Sequence, residues 1–326
     1  MRSPDGVVSF HCTACGACCN SAPTLSLPEL FHHQSRFIGT LAIRRIESLR
    51  VGAPWGAAGA VADAEDVAAF DVLMAELCEP VQGPAGREHV LIAAQAFDDP
   101  ALGHCPALGS DQRCTVHADR KPLACRAVPL EPLLPDRLQA AVLAERAKDA
   151  AFWGANCIAL GTREGHLPIV SERRVVEPEA VLALTSRRRE LAEDRRRFGR
   201  AVFDLLRQDL FDHPERVARL PSRGFFSLSL APALAVIASA SPRCRERALA
   251  FVSAQIALTS ARLASGTSGS PATERELSSL LRASTALCTS LEEVGALPDV
   301  HPEADAIEAW LGLAPGARDA PAHPGR

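Results

Sequence analysis

Four of the eight residues from Cys12 to Cys19 are cysteines, in the order Cys12-Thr13-Ala14-Cys15-Gly16-Ala17-Cys18-Cys19. No other stretch constrains the chain as much. Thiols at i, i+3 and i+6 around one glycine curl about a common point, and neither a core strand nor a core helix requires that spacing. Thiolates are soft ligands that suit iron–sulfur clusters and zinc. This end of the chain therefore reads as a metal site and not as a packing element.

Further candidate ligands lie downstream at Cys105, Cys114, Cys125 and Cys157, spaced C-x8-C-x10-C-x31-C. With Cys12, Cys15, Cys18 and Cys19 they make eight thiolates, enough for two four-coordinate sites. Neighbouring side chains of an extended segment point to opposite sides. Cys18 and Cys19 are thus expected to diverge, toward two centres or toward one cluster and a structural partner. The C-x2-C-x2-C run also matches the first three ligands of bacterial ferredoxin loops, whose fourth comes from elsewhere. Structural zinc usually draws on two short C-x2-4-C pairs, and the downstream set has none. The spacing therefore favours an iron–sulfur cluster, with zinc as the alternative. Arg120, Lys121 and Arg126 surround Cys125 and would favour its charged form.

The chain has 11 cysteines and begins Met1-Arg2-Ser3-Pro4-Asp5-Gly6, without an apolar leader. Cysteines in a reducing compartment point to metal or catalysis before disulfides, so a cytoplasmic protein is the expectation. No apolar run reaches the roughly 20 residues that a bilayer-spanning helix needs. The net charge of −4 gives no sign of a nucleic-acid or anionic-membrane partner. Cys78, Cys244 and Cys288 sit in apolar helical surroundings and read as small core residues. His11, His104 and His117 flank the cysteines as secondary ligand candidates, and His32-His33 is a weaker pair.

The chain resembles the YkgJ-type cysteine-cluster family, the CxxCxxCC zinc- or iron-chelating domain. The resemblance is carried by Phe10-x-Cys12-x-x-Cys15-Gly16-x-Cys18-Cys19. It continues in Cys105-Pro106, Cys114-Thr115-Val116-His117 and Arg120-Lys121-Pro122-x-x-Cys125-Arg126-x-x-Pro129, with Cys157 matching a further downstream cysteine. It covers roughly residues 8–160. His117 stands where the family has Tyr, and Lys121 interrupts an Arg-Pro pair. The resemblance implies a metal centre. Some relatives are described as flagellin lysine N-methylases, which makes a protein-modifying methyltransferase the alternative function. No G-x-G-x-x-G loop follows a strand here to support a methyl-donor site independently.

The expected fold is α+β and α-dominant. A small cysteine-rich metal-binding domain with short strands would occupy 1–175, a helical region 176–313 and a disordered tail 314–326. The pattern predicts helices opening at Pro28, over Ile38 to Leu49 and over Ala64 to Leu77. It predicts strands over His89 to Phe97 and Leu138 to Leu143, a loop over 52–60 and a cysteine loop over 104–126. One long helix is expected over Pro178 to Phe211, with Leu184, Leu191, Phe198 and Leu205 recurring every seventh residue. Further helices are expected at 228–240, 243–264, 273–293 and 303–312, with a flexible connector over 265–271. The arginine runs 187–189 and 195–197 read either as a surface for RNA or an acidic protein, or as a solvated face with intrahelical ion pairs. Aromatics to stack bases are missing between them, so a nucleic-acid partner is not expected. A protein partner on the helical region remains open.

Overall fold

The computed structural model describes residues 6–55, 59–148, 157–266, 270–293 and 301–313. The fold is mixed α+β, 47% helical and 17% strand, with antiparallel sheets. The predicted tail 314–326, and residues 267–269 of the predicted connector, lie outside the described residues.

Among the described residues, eleven strands form two sheets and a hairpin. The main sheet is built on β7 (Gly86–Ala96), flanked by β3 (Gly39–Ile46) on one side and by β2 (Thr24–Leu25) and β6 (Glu79–Gly83) on the other. A fourth neighbour, β11 (Phe226–Ser229), pairs with the outer edge of β3. The small sheet has the order β10 (Arg174–Val175), β9 (Leu167–Ser171), β1 (Val8–Phe10), β8 (Ile158–Leu160). The hairpin joins β4 (Pro54–Trp55) to β5 (Ala60–Val61), inside the predicted 52–60 loop.

β7 is covered on both faces, which is why its centre, Val90 to Ala94, is continuously apolar rather than alternating. Val90, Ile92, Ala94 and Ala96 enter the main core. Leu91 and Ala93 enter a second core, beneath the helix α2 (Ala64–Leu77). That helix has the predicted bounds. Its first turn is closed by Asp63, whose side chain accepts from the Asp66 N–H at 2.8 Å.

Ile38 to Leu49 is a strand and not a helix. β3 pairs along its whole length with β7, from Gly39 opposite Ala96 to Ile46 opposite His89. Its Leu41 and Ile43 enter the main core while Ile46 packs against the second, so the residues serve two faces with period two. The opposite correction applies to Leu138 to Leu143. Gln139–Arg146 is the helix α4, with Gln139 and Leu143 buried four residues apart. The Gln139 amide donates to the Glu131 and Leu134 carbonyls, so a polar residue fills a core position at no hydrogen-bond cost. The 228–240 stretch is also split: β11 ends at Ser229, and the helix proper is Ala231–Ala238.

The long helix runs from Pro178 to Phe211, but it widens to π-turns at Arg195–Gly199 and Arg207–Phe211. Each such turn adds about one residue and rotates the face by about 100°. Leu184, Leu191 and Phe198 are buried as predicted, whereas Leu205 is 64% exposed. Val202 and Phe203 take its place in the core. Helices Pro242–Ala264, Pro271–Glu293 and Ala304–Trp310 match expectation.

The arginine runs make the expected intrahelical pairing of Arg197 with Glu193, and most of their members also reach across the fold. Arg187 is 1% exposed and bonds Thr24. Arg188 bonds Asp136 and the Pro132 carbonyl. Arg195 and Arg200 share the buried Glu79, and Arg197 reaches Glu193 and Glu303. These cations staple the long helix to the sheet and loops. A boundary at 175 is crossed by the β11–β3 pairing and by the main core, which draws on residues from Ala22 to Leu311.

Candidate metal centre

The first cysteine turn leaves the small sheet. β1 ends at Phe10, and the His11 N–H donates to the Cys157 carbonyl at 2.9 Å, which fixes the quartet beside the entry to β8. Ala14 and Gly16 have φ of 53° and 74°, and the Cys19 N–H closes the turn on the Gly16 carbonyl at 2.9 Å. Gly16 serves a second purpose. A Cβ there would stand 3.1 Å from the Gln112 carbonyl oxygen, because the downstream cysteine loop passes directly over it.

That downstream loop is held from three directions. The Cys105 N–H donates to the Cys19 carbonyl at 2.7 Å, which ties the two cysteine segments to each other. A narrow hairpin then brings Cys114 back beside Leu108, with Gly109 N–H to Arg113 carbonyl at 2.8 Å. The third support is α1 (Leu27–His32). Glu29 accepts from the Ser26 N–H at 2.9 Å and from the Leu123 N–H at 2.7 Å. Leu123 opens the one-turn helix α3 (Leu123–Arg126), which carries Cys125. His33 Nε2 lies 3.1 Å from the Arg120 carbonyl oxygen, and His32 Nε2 lies 3.2 Å from Asp119 Oδ1.

The result is a cavity of about 440 Å³ lined by Cys12, Cys15, Cys18, Cys19, Cys105, Cys114, Cys125 and Cys157. Phe10, Phe37, Leu108 and Val116 supply apolar wall, and Gln112, Lys121 and Arg126 supply polar groups. Cys105 belongs to the main core, and Cys19 and Cys114 pack against it. Cys157 sits at the other wall, where its Sγ lies 3.4 Å from Thr13 Oγ1 and its neighbour Ile158 joins the small-sheet core. Cys12, Cys15 and Cys18 are exposed.

The electrostatics follow the same division. The Ala17 N–H and the Thr13 hydroxyl hold the Cys15 thiol below its ordinary pKa against its partial burial, with Cys157 also hydrogen-bonded to it and Cys18 opposing. Cys19 is lowered first by a hydrogen bond from Cys18, opposed by burial and by Cys105, Cys125 and Cys114. Cys18, as the donor, is pushed up. Burial raises Cys105, and it raises Cys125 to about 12. Cys15, Cys18 and Cys157 thus sense one another, as do Cys19, Cys105, Cys114 and Cys125. Cys18 and Cys19 do not diverge as an extended segment would require. They lie at the end of a turn and their thiols touch, which joins the two sets.

The sulfurs surround a space rather than a point. Among the described residues, the group of three His, Cys, Asp or Glu ligand atoms gathered within 4.8 Å is His32, His33 and Asp119, outside the cysteine cavity. Four thiolates on one zinc, at Zn–S of about 2.3 Å, stand about 3.8 Å apart in a tetrahedron.

Of the flanking histidines, His117 lines the cavity, and His104 is turned to the Cys105 carbonyl at 2.9 Å. Cys78 and Cys244 are buried in the cores as expected, while Cys288 is half-buried and reaches Glu292 at 3.6 Å. Glu29, His32 and His33 escaped the sequence reading as positioning residues, because their partners lie 87 to 94 positions away. No family model, no curated protein and no solved structure matches the chain.

Proposed function

We propose that the chain is a metal-binding protein in which Cys12, Cys15, Cys18, Cys19, Cys105, Cys114, Cys125 and Cys157 ligate iron–sulfur, in a structural or electron-carrying role. The observation that carries this reading is the convergence of all eight on one cavity from three separated segments. The donor set fits such a group: eight sulfurs, with Arg126 and Lys121 on the walls to balance thiolate charge. Their spacing favours a cluster over a lone zinc. The YkgJ-type resemblance points the same way. When bound, the cluster would supply one-electron chemistry or simply a cross-link. The chain's own part is to gather the thiolates, place them beside the Phe10 and Phe37 walls, and tune them through the Ala17 and Ala107 N–H groups.

The second reading is a metal-dependent enzyme acting on protein lysine, favoured by the size of the cavity, since a purely structural site closes around its metal. Anaerobic purification with metal and sulfide analysis tests the first reading. Brown protein absorbing near 400 nm, as iron–sulfur proteins do, is the expected result. Colourless protein containing zinc replaces iron by zinc in the same sites. Protein free of both refutes the proposal.

A further inference from the structure

A second cavity, of about 250 Å³, lies against the first and shares Cys18, Cys19, Cys105 and Cys125 with it. Its other walls differ in kind. Leu91, Leu133, Leu191 and Phe225 are apolar, and three arginines, Arg44, Arg146 and Arg187, line the same space with one acidic residue, Glu131. A cavity that is apolar and triply cationic at once is costly unless each charge is compensated.

Two of the three are compensated. Arg146 donates to Glu131 at 2.9 Å and to the Pro129 carbonyl. Arg187 bonds Thr24 at 3.0 Å and Glu190 at 3.4 Å, although burial raises the pKa of both Glu190 and Asp194 against its charge. Arg44 differs. Its Nε donates to the Ser222 carbonyl at 3.0 Å, and no carboxylate among the described residues pairs with it. It stands on β3 opposite Leu91, on the sheet face that feeds the second core, where an aliphatic residue would be expected. Its charge also reaches Arg146, whose pKa is lowered first by burial and further by Arg44. Two arginines therefore line one partly apolar cavity, with Glu131 paired to Arg146 and Arg44 the less satisfied. A planar anion that accepts from both forks resolves this arrangement.

We infer that this cavity binds a small organic carboxylate, its charged end on Arg44 and Arg146 and its apolar body against Leu91, Leu133 and Phe225, beside the shared cysteines. The volume is below the roughly 300–1,000 Å³ of pockets for drug-sized ligands, so the ligand is smaller than these. Phosphate fits less well, because it would leave the apolar walls unused. The site stands on the arginines and the cavity, and it goes beyond the metal reading.

The experiment is isothermal titration of the full-length, anaerobically purified chain with 4-methylpentanoate, with its uncharged amide and inorganic phosphate as comparison probes. The carboxylate should bind one per chain, and at least tenfold more tightly than either other probe. Arg44→Met should weaken it at least tenfold, while Arg196→Ala, on the exposed helix face, leaves it unchanged. Equal binding of the amide removes the charge recognition and overturns the inference. So does phosphate binding as tightly as the carboxylate, or no binding of the carboxylate. The comparison of probes needs no variant, so the test survives if Arg44→Met does not fold. Metal content measured on the same sample separates the two readings. Metal-loaded protein that binds no carboxylate defeats the anion site alone, and metal-free protein that binds it defeats the metal site alone.

Discussion

The two halves of β7's surroundings and the two cysteine segments are stabilised by different physics. Around β7, Leu41, Ile43, Val90, Ile92 and Phe198 are at or below 5% exposed and interdigitate from three elements. Burial, with the β3–β7 ladder, holds that region. The cysteine segments contain little regular structure apart from the single turn α3, and they hold Ala14, Gln112 and Arg120 at positive φ. Such conformations cost about 1–3 kcal/mol each for residues other than glycine and persist only where surroundings enforce them. The enforcing contacts are a few backbone hydrogen bonds and, on the proposed reading, metal–thiolate bonds. The comparison teaches that one chain can hold its sheet by packing while its cysteine loops rest on a few long-range hydrogen bonds.

The largest expected effect falls on the main core around the sheet. Phe198→Ala should destabilise the fold by about 3–5 kcal/mol, the range for truncating a buried aromatic. Chemical denaturation measures it, and an effect below about 1 kcal/mol would remove the main-core assignment. Next come the ligands. Cys125→Ser should reduce bound metal sharply and Cys244→Ser should leave it unchanged, although both thiols are shielded; equal metal in the two variants would erase the distinction between the regions. A middle effect is expected at the support. Glu29→Ala removes the acceptor of the Ser26 and Leu123 N–H groups, and loss of such a helix cap costs about 0.5–2 kcal/mol. Proteolysis should then cut the 117–126 segment sooner than wild type, and unchanged cleavage would show that α1 does not hold the loop.

A smaller, pH-dependent effect follows from Glu190. Burial, and then the charge of Glu29, raise its folded pKa to about 7, above its ordinary carboxylate value of about 4.3. The folded state therefore holds a proton that the unfolded state releases. Stability contributed by the neutral form is complete below about pH 4 and declines as pH rises toward 7. Glu190→Gln should flatten the stability profile across that window, and an unchanged slope would contradict the assignment. Smallest of all, Arg196→Ala should cost less than about 1 kcal/mol, since its pair with Glu193 is exposed.

Much of the sheet's material was legible in the sequence, though not its pairing. His89 to Phe97 reads as a strand because Val90 to Ala94 is an unbroken apolar run. Gly39–Ile46 misled because period two is blurred when both faces are buried, and Arg44-Arg45 looks like a helical polar face. The long helix was visible in its heptads up to Phe198, and the π-turns that displaced Leu205 leave no local signal. In the cysteine region the eight candidates were readable from spacing, but their contact is set by long-range bonds. The Cys19 carbonyl meets the Cys105 N–H across 86 positions, and Glu29 meets Leu123 across 94. Cys18 and Cys19 were misjudged because adjacency was read as extension, whereas a left-handed Ala14 and Gly16 turn the chain.

The central claim is ligation by the converging thiols. Iron and acid-labile sulfide should be quantified per chain in the anaerobically purified protein, with Cys15→Ser and Cys125→Ser alongside Cys244→Ser. The account predicts both elements in the parent and in Cys244→Ser, and a marked loss in the other two. Wild-type levels of iron and sulfide in all three variants would contradict it.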